Sequence, residues 1–588
     1  MNIKWIPILL LAGFLTAHAQ EKNSLIKIQD AREAGKISYE QSLRLKHQFL
    51  YHYEDLPDEF RSSTPVKCAF GAANELRQAS LKWPLLKPKT LLSQNMYVHS
   101  FISKGQTKRF HIYYDTTGVD AVPAVDVNTN GLQDWVEETA AAMERAYRVE
   151  VDTLGFREPL DFGIYGFYKV FINNQYGAYG STTPDSQVTS NPWTYTSYIK
   201  IDNDFIGNFA THGYDAIRVT CAHEFHHAVQ LAYQNTYSDG DGWFYESTST
   251  WMEEVVWDGV NDYYAYLDNF LLNPHVSLTA MNGAHEYGAV LWNLYLEKNF
   301  TPTVVRRAWE LLPQNRSWNA LQLALNASPY NSSLPANVTE MHLWNFFTAE
   351  RADSLLYYTE GYNYPNVRFK YTGWLRDTSF TDSLPSLAAR YYSLIVLDTT
   401  NVLMNFSSRE SVSYFSVFTI EYNRSRHKAI ISKRDAPVNF AAENLEPGDS
   451  LIVIVINKDY TTSNITNKKY MRYTIGLQPT NQPVNQPVLS DFKIYPQPFV
   501  CTGSDQPLKI AFRLREIRDI RLDIFTSGGK RVHTLKNTSL SPGVYEGSNA
   551  FTWDGKDEEG TLVPSGVYFY TFTAGKYQKT GKLAVIRK

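Results

Sequence analysis

The sequence predicts a multidomain α+β protein, with a helix-rich metal-binding domain ahead of two β-sandwiches. Three stretches carry that reading. Residues 214–234, YDAIRVTCAHEFHHAVQLAYQ, hold His223, Glu224 and His227 in the order H-E-x-x-H. On an α-helix, positions i and i+4 share a face, so both imidazoles can grip one zinc ion while Glu224 points at a water on it. From about Tyr362 the text changes to short alternating runs, ARYYSLIVL, VSYFSVFTIEY, HKAIIS, SLIVIVIN and YMRYTIGL, broken by Gly, Pro and Asn; that is strand patterning. After PTNQPVNQPV the same alternation resumes over residues 491–588. A chain of 588 residues has room for about four domains.

Composition narrows the function classes. Hydrophobic residues make up 43%, and the 14% aromatic share with 40 tyrosines leans towards β-rich extracellular material. Net charge is −4 with no long basic run, so there is no electrostatic case for a nucleic-acid partner. Cys68, Cys221 and Cys501 fall in what read as three different domains, which excludes a disulfide framework and leaves cores and metals to hold the fold.

In chain order, residues 1–19 read as a secretory signal: Lys4, an apolar run from Trp5 to Leu15, and Ala17-His18-Ala19 as the cleavage site. Gln20 would begin the exported chain. The junction has no cysteine for lipid attachment, and no later apolar run is long enough to span a bilayer. The expected location is therefore secreted, extracellular or attached to the bacterial cell surface. Residues 20–105 carry two expected helices, LIKIQDAREAG and SYEQSLRLKHQFLYHY, then a Pro-punctuated stretch ending in LKWPLLKPKT. Their position suits a helical pro-segment. Cys68 within it reads either as a structural thiol or as a thiolate that caps the metal before activation.

A strand, FHIYY, opens the catalytic domain assigned to residues 106–355. It is followed by DVNTNGLQDWVE, where Asp126, Asn128, Asn130, Leu132, Asp134 and Glu137 occupy positions 1, 3, 5, 7, 9 and 12 of an EF-hand-type loop, with Gly131 at position 6. Calcium takes six to eight oxygens, and this spacing wraps side-chain oxygens and the Leu132 carbonyl about one centre. The competing reading is an Asx-rich turn capping the helix WVEETAAAMERAYRVEVDTLG. No helix is expected before the loop, so a static structural calcium site is favoured over a switch. FGIYGFYKVFI and TSYIKIDNDF read as strands, and QYGAYGSTTPDSQVTSNPW between them as a mobile rim of the cleft.

Zinc usually takes four ligands, so two histidines and a water leave one protein ligand to find. Glu246, in WFYESTSTWMEE, follows His227 after 18 intervening residues, enough to end one helix, turn at YSDGDG and start a second that returns past the first. His226 and Cys221 read as core residues. Glu253 either orients a ligating histidine or is a surface carboxylate.

HEFHH, 18 residues, then WFYESTSTWMEE resembles the gluzincin metallopeptidases of the MA clan, with the HExxH-x18-E spacing of the aminopeptidase N family. DTTGVDAVPAVDVNTNGLQDWVE, TSYIKIDNDF and HEYGAVLWNLYLEK are similar to secreted bacterial metalloproteases of that clan, and the likeness spans roughly residues 106–350. Metzincins fit poorly, since Gln230 and Tyr233 stand where glycine and histidine would be wanted. The resemblance implies a zincin-like catalytic domain whose antiparallel edge strand pairs with a peptide substrate; Tyr198 to Asp202 is the candidate. It also implies an oxyanion-stabilising group from HEYGAVLWNLYLEK, either Tyr287 or His285. The G-x-M-E-N stretch of the aminopeptidases is missing, which favours an endopeptidase.

A β-sandwich is expected over 360–478 and a linker over 479–490. Residues 491–588, with IYPQPF, LDIFTSGGKRVHTL and FTWDGKDEEGTLVPSGVYFYTF, predict an Ig-like sandwich of about seven strands. This domain resembles C-terminal sorting domains of type IX secretion and FlgD-type Ig-like domains. The resemblance implies secretion machinery as a partner; the alternative is an adhesive or spacer module. The chain as a whole reads as a secreted zinc endopeptidase acting on protein or peptide substrates. In that reading His223, His227 and Glu246 hold the metal, and Glu224 passes a proton from water to the leaving amine. The rival is a catalytically inactive zincin-like surface adhesion or binding protein.

Overall fold

A computed structural model describes residues 21–80, 97–100, 109–188, 191–237, 240–426, 428–481, 489–501, 507–514, 518–540, 543–574 and 577–587. The expected leader, the LKWPLLKPKT stretch and most of the expected linker lie outside these. The protein is multidomain α+β and divides into two compact units. One runs up to Ala265 and adds Met281–Val290 and Arg306–Ser317; the other comprises Tyr266–Ala280, Leu291–Val305 and Trp318–Lys588.

The first unit is built on a five-stranded sheet in the spatial order Tyr97–Ser100, Phe110–Tyr114, Tyr168–Ile172, Asn191–Ile201, Gly180–Val188. The middle three strands run parallel and the two outer pairings are antiparallel. Phe110, Ile112, Val170 and Ile199 are fully buried, as expected of strands covered by helices. Packed on the sheet is the Gly213–Leu231 helix, which also meets the Asp134–Tyr147 and Gly242–Val256 helices. Every residue of the first helix from Val219 to Leu231 is buried. A helix covered on all sides cannot be amphipathic, so its polar residues must find partners inside the protein.

Four local expectations need correction. FGIYGFYKVFI is a helix, Leu160–Tyr165, then a strand, Tyr168–Ile172: Pro159 starts the helix and Gly166, at φ +79°, ends it in the left-handed conformation. Tyr198–Asp202 is not an edge. Its strand, Asn191–Ile201, is flanked on both sides, and the edge is Gly180–Val188, out of the stretch expected to be a mobile rim. There the buried Ser181, Thr182 and Thr183 supply strand character that a Gly/Ser/Thr-rich composition conceals. The sheet begins at Tyr97, inside the segment expected to end at residue 105. Cys68 and Cys221 both belong to the first unit, and all three cysteines are buried, with no disulfide among the described residues.

The N-terminal segment forms helices Ser24–Glu33 and Tyr39–Tyr51, the second opened by a Ser38/Gln41 capping box. A third helix, Phe70–Ala79, had no counterpart among the expected elements. Between Tyr264 and Phe346 the chain is mostly helical, as expected.

In the second unit, nine strands between Tyr371 and Thr480 make two sheets of five and four strands. Phe415, Val417, Leu451, Val453 and Val455 face Met404, Phe406, Ile475 and Leu477 across the sandwich core. SLIVIVIN is apolar throughout because its other face is covered too: Ile452, Ile454 and Ile456 pack with Leu343 and Phe346 of the Leu334–Phe346 helix. The C-terminal domain is also two-sheeted, its core formed by Phe512, Leu522, Ile524, Trp553 and Phe572.

Gly180, at the start of the edge strand, allows that strand to approach the helix bearing His223. A Cβ there would lie 2.8 Å from the Lys200 carbonyl oxygen, 2.8 Å from Thr220 Cγ2 and 3.1 Å from Glu224 Cγ. Gly180→Ala is therefore predicted to destabilise the first unit by about 1–3 kcal/mol through overpacking. Urea or thermal unfolding checks this, and unchanged stability would mean that strand and helix are not in close contact.

Candidate metal centre

The buried polar residues of the Gly213–Leu231 helix are held by a chain of specific partners. His223 Nδ1 lies 2.7 Å from Glu253 Oε1. His227 Nδ1 lies 2.7 Å from Gln230 Oε1 and 3.3 Å from Ser249 Oγ. Gln230 in turn donates to the Tyr245 carbonyl at 3.0 Å and to Thr248 and Ser249 hydroxyls at 3.1 Å. His226 faces away from this group and meets Glu150 Oε2 at 2.8 Å. Thr182 of the edge strand shares its hydroxyl between the Glu224 carbonyl, 2.7 Å, and Glu224 Oε2, 2.8 Å.

With both Nδ1 atoms taken by acceptors, the two Nε2 atoms present lone pairs to the same point. His223 Nε2 is 3.3 Å and His227 Nε2 3.5 Å from Glu246 Oε2, and His227 Nε2 is 3.3 Å from Cys68 Sγ. One ligand atom each from Cys68, His223, His227 and Glu246 falls within a mutual separation of 4.8 Å, and all four residues are buried. A tetrahedral zinc with bonds of about 2.0–2.3 Å has ligand–ligand edges of about 3.3–3.8 Å, so the three shorter separations fit that ion. The donor set, two imidazoles with a carboxylate and a sulfur, suits it as well.

Four buried ligand atoms that converge in this way need protons or a cation between their lone pairs. Protons answer part of that need: burial opposes it, but hydrogen bonds to Glu246 and Glu253 raise His223 to about 9. Burial would also push the Glu246 carboxyl up, yet His227 and His223 outweigh it and hold it at about 2. A divalent cation competes with those protons for the same lone pairs. Glu224 differs from Glu246: burial raises its carboxyl, with His227 and His223, and hydrogen bonds from Thr182 and Cys68, pulling the other way.

Around this group lie residues that the motif did not announce. Tyr237 donates to Glu246 Oε1 at 2.8 Å. Phe70 stacks on the His227 ring, centroids 4.3 Å apart and planes 11° apart. Lys67 is buried, pairs with Glu253 Oε2 at 2.8 Å, and also with Asp262; burial opposes its charge, but those carboxylates raise it above the usual lysine range. Removing one partner of such a buried pair typically costs about 3–5 kcal/mol. Glu253 is thus no surface carboxylate. No sequence motif marks Lys67 or Asp262, since each matters only through the fold; Tyr237 was visible only as part of a turn.

Tyr287 and His285 sit in the short Glu286-containing turn of helix, His285–Gly288, and both are buried. The Tyr287 ring centroid is 6.2 Å from that of His223. The predicted calcium residues form a separate, largely exposed loop before the Asp134–Tyr147 helix. Asp126 accepts from the backbone of Asn130, 3.1 Å, and Gly131, 2.8 Å. Asn128 and Asn130 amides each donate to one oxygen of Glu137 at 2.7 Å, Asp134 accepts from Val127 N–H at 3.2 Å, and Leu132 N–H donates to Asn130 at 2.9 Å. Thr129 at φ +55° and Gly131 at φ +87° turn the chain about this cluster.

Residues 72–316 match the model of a family of unknown function, DUF6055, and residues 500–579 match the FlgD Ig-like domain. No curated protein matches the chain. Solved structures similar to parts of it include the g-type lysozyme inhibitor PliG of Aeromonas hydrophila, at 9% identity and TM-score 0.14, covering 19% of this chain and 100% of that one. Dimeric latent PorU from Porphyromonas gingivalis is 13% identical with TM-score 0.17, covering 38% of this chain and 19% of that one. A beta-glucuronidase of Parabacteroides merdae is 9% identical with TM-score 0.16, covering 34% and 27%. Scores this low carry no argument about this chain. Neither family description names an activity, so the chemistry of the centre rests on its own residues: His223, His227 and Glu246 within the DUF6055-matching region, Cys68 just ahead of it, in a chain whose residues 500–579 match a FlgD Ig-like domain.

Proposed function

We propose that the protein is a secreted zinc-dependent endopeptidase of gluzincin type. The observation that supports this most is the meeting of His223 Nε2, His227 Nε2 and Glu246 Oε2 beside the buried Glu224. When bound, zinc would polarise a peptide carbonyl and acidify a water. Glu224 takes that water's proton and returns it to the leaving amine nitrogen. Its raised carboxyl favours holding the proton between the two steps, and Thr182 fixes its orientation through Oε2. Glu253, Gln230 and Tyr237 aim His223, His227 and Glu246 respectively. Tyr287, beside His223, is assigned to the developing oxyanion, with His285 as the alternative donor from the same turn.

The FlgD Ig-like match supports an Ig-like C-terminal domain, and its resemblance to sorting domains of type IX secretion assigns it to export or surface attachment. Among the described residues no helix is long and apolar enough to cross a membrane. The 126–137 loop is assigned to a structural calcium ion on the spacing of Asp126, Asn128, Asn130, Leu132, Asp134 and Glu137; here its carboxylates accept N–H groups of the same loop, which the ion would have to displace.

Glu224→Gln is expected to lower hydrolysis of a casein-type substrate by about 10²–10⁴-fold while leaving bound zinc, read by elemental analysis, unchanged. Activity that survives both this change and a zinc chelator would exclude the mechanism. For the loop, saturating calcium should raise the thermal midpoint of the wild type but not of Asp126→Ala, by the linkage of a ligand that binds only the folded state. Equal shifts in both proteins would remove the calcium assignment.

A further inference from the structure

Resting on the zinc reading above, the geometry points to a built-in latency device: Cys68 fills the metal's fourth ligand position while Val66 to Phe70 block the cleft, so that the chain as folded is a zymogen. Four protein ligands make a closed, structural kind of site, whereas a hydrolytic centre keeps one position open for water. Cys68 stands where that opening would be. Its Sγ lies 3.3 Å from His227 Nε2 within the four-residue donor set, and the buried Glu224 beside that set has Cys68 as its neighbour, on the side where a water would need that carboxylate. A purely structural metal would have no use for that extra carboxylate.

The neighbours of Cys68 hold it there. Val66 N–H donates to the Gly177 carbonyl at 2.9 Å, Tyr179 N–H to the Val66 carbonyl at 3.0 Å, and Ala69 N–H to the Gly180 carbonyl at 3.0 Å. Val66 and Ala178 form a parallel bridge. These groups lead directly into the edge strand Gly180–Val188, whose backbone a peptide substrate would use by strand addition. The segment therefore competes for substrate's place as well as for water's. On one side of Cys68, Lys67 is clamped between Glu253 and Asp262; on the other, Phe70 lies flat on the His227 ring. Phe70 N–H also donates to Cys68 Sγ at 3.3 Å. The sulfur binds zinc after losing its proton to solvent, and activity requires that residues 66–70 withdraw.

X-ray absorption at the zinc edge of the full-length, zinc-loaded chain tests this without any variant. The expected spectrum contains one sulfur at about 2.3 Å with nitrogen and oxygen scatterers. In Cys68→Ser the sulfur should vanish with zinc still bound, and casein-type hydrolysis should rise on the order of tenfold as the competent state gains population. Zinc bound by nitrogen and oxygen alone in the wild type would overturn the latency device and leave the zinc peptidase reading standing. A sulfur that persists in Cys68→Ser, or one that vanishes with no rise in hydrolysis, would also overturn it. A full-length chain that takes up no zinc would overturn both readings together.

Discussion

The convergence of four buried side chains, Cys68, His223, His227 and Glu246, on one point organises the Gly213–Leu231 helix and its neighbours. Two imidazoles, a carboxylate and a cysteine meet with all four residues buried, and such a group is stable only while protons or a cation link its lone pairs. The rest of the local structure is arranged to keep it assembled. Glu253 and Gln230 occupy the outer ring nitrogens so that the inner ones remain acceptors. Tyr237 occupies the Glu246 oxygen that does not face the histidines. Each of these contacts removes a rotamer in which the cluster would relax apart.

That arrangement explains why the central helix carries so many polar residues in a fully buried position. Left unpaired, any of His223, Glu224, His226, His227 or Gln230 would lose its hydration without compensation, typically about 1–3 kcal/mol for each unsatisfied group. Glu150, Thr182, Ser249 and Glu253 offset that loss, and they come from the residue 148–153 turn, the edge strand and the glutamate-bearing helix. The packing of three elements on the motif helix is therefore specified by hydrogen bonds as much as by apolar area. Gly180 is the point at which the sheet can come close enough to supply one of them.

How much of this could be seen in the sequence follows from the range of each signal. H-E-x-x-H acts through one helical turn, so His223, Glu224 and His227 could be placed on one face from spacing alone. Glu246 required only the assumption of a helical hairpin. The alternating runs after residue 362 are local too, and the two sandwiches follow from them. The edge strand escaped because β-branched threonines were scattered among Gly, Ser and Pro, which read as loop. Lys67 and Asp262 escaped for a deeper reason: they are 195 residues apart in the chain and meet only in three dimensions. Cys68 could be offered as a metal cap or a structural thiol, and its nearness to His227, 3.3 Å from Sγ to Nε2, could not be read from the sequence.

Glu253 shows how the N-terminal segment and the metal centre are joined through one side chain. Its Oε1 faces His223 Nδ1 and its Oε2 faces Lys67. While Lys67 is in place, part of the carboxylate's charge is neutralised from the side away from the histidine. If residues 66–70 withdraw, that counter-charge leaves with Cys68, and the full negative charge of Glu253 bears on the His223 ring, strengthening its inner nitrogen as a donor to a metal. In the proposed zinc site, departure of the sulfur would remove one ligand at the same moment that a remaining ligand improves. The adjacency of Lys67 and Cys68 in the chain makes these two changes a single event.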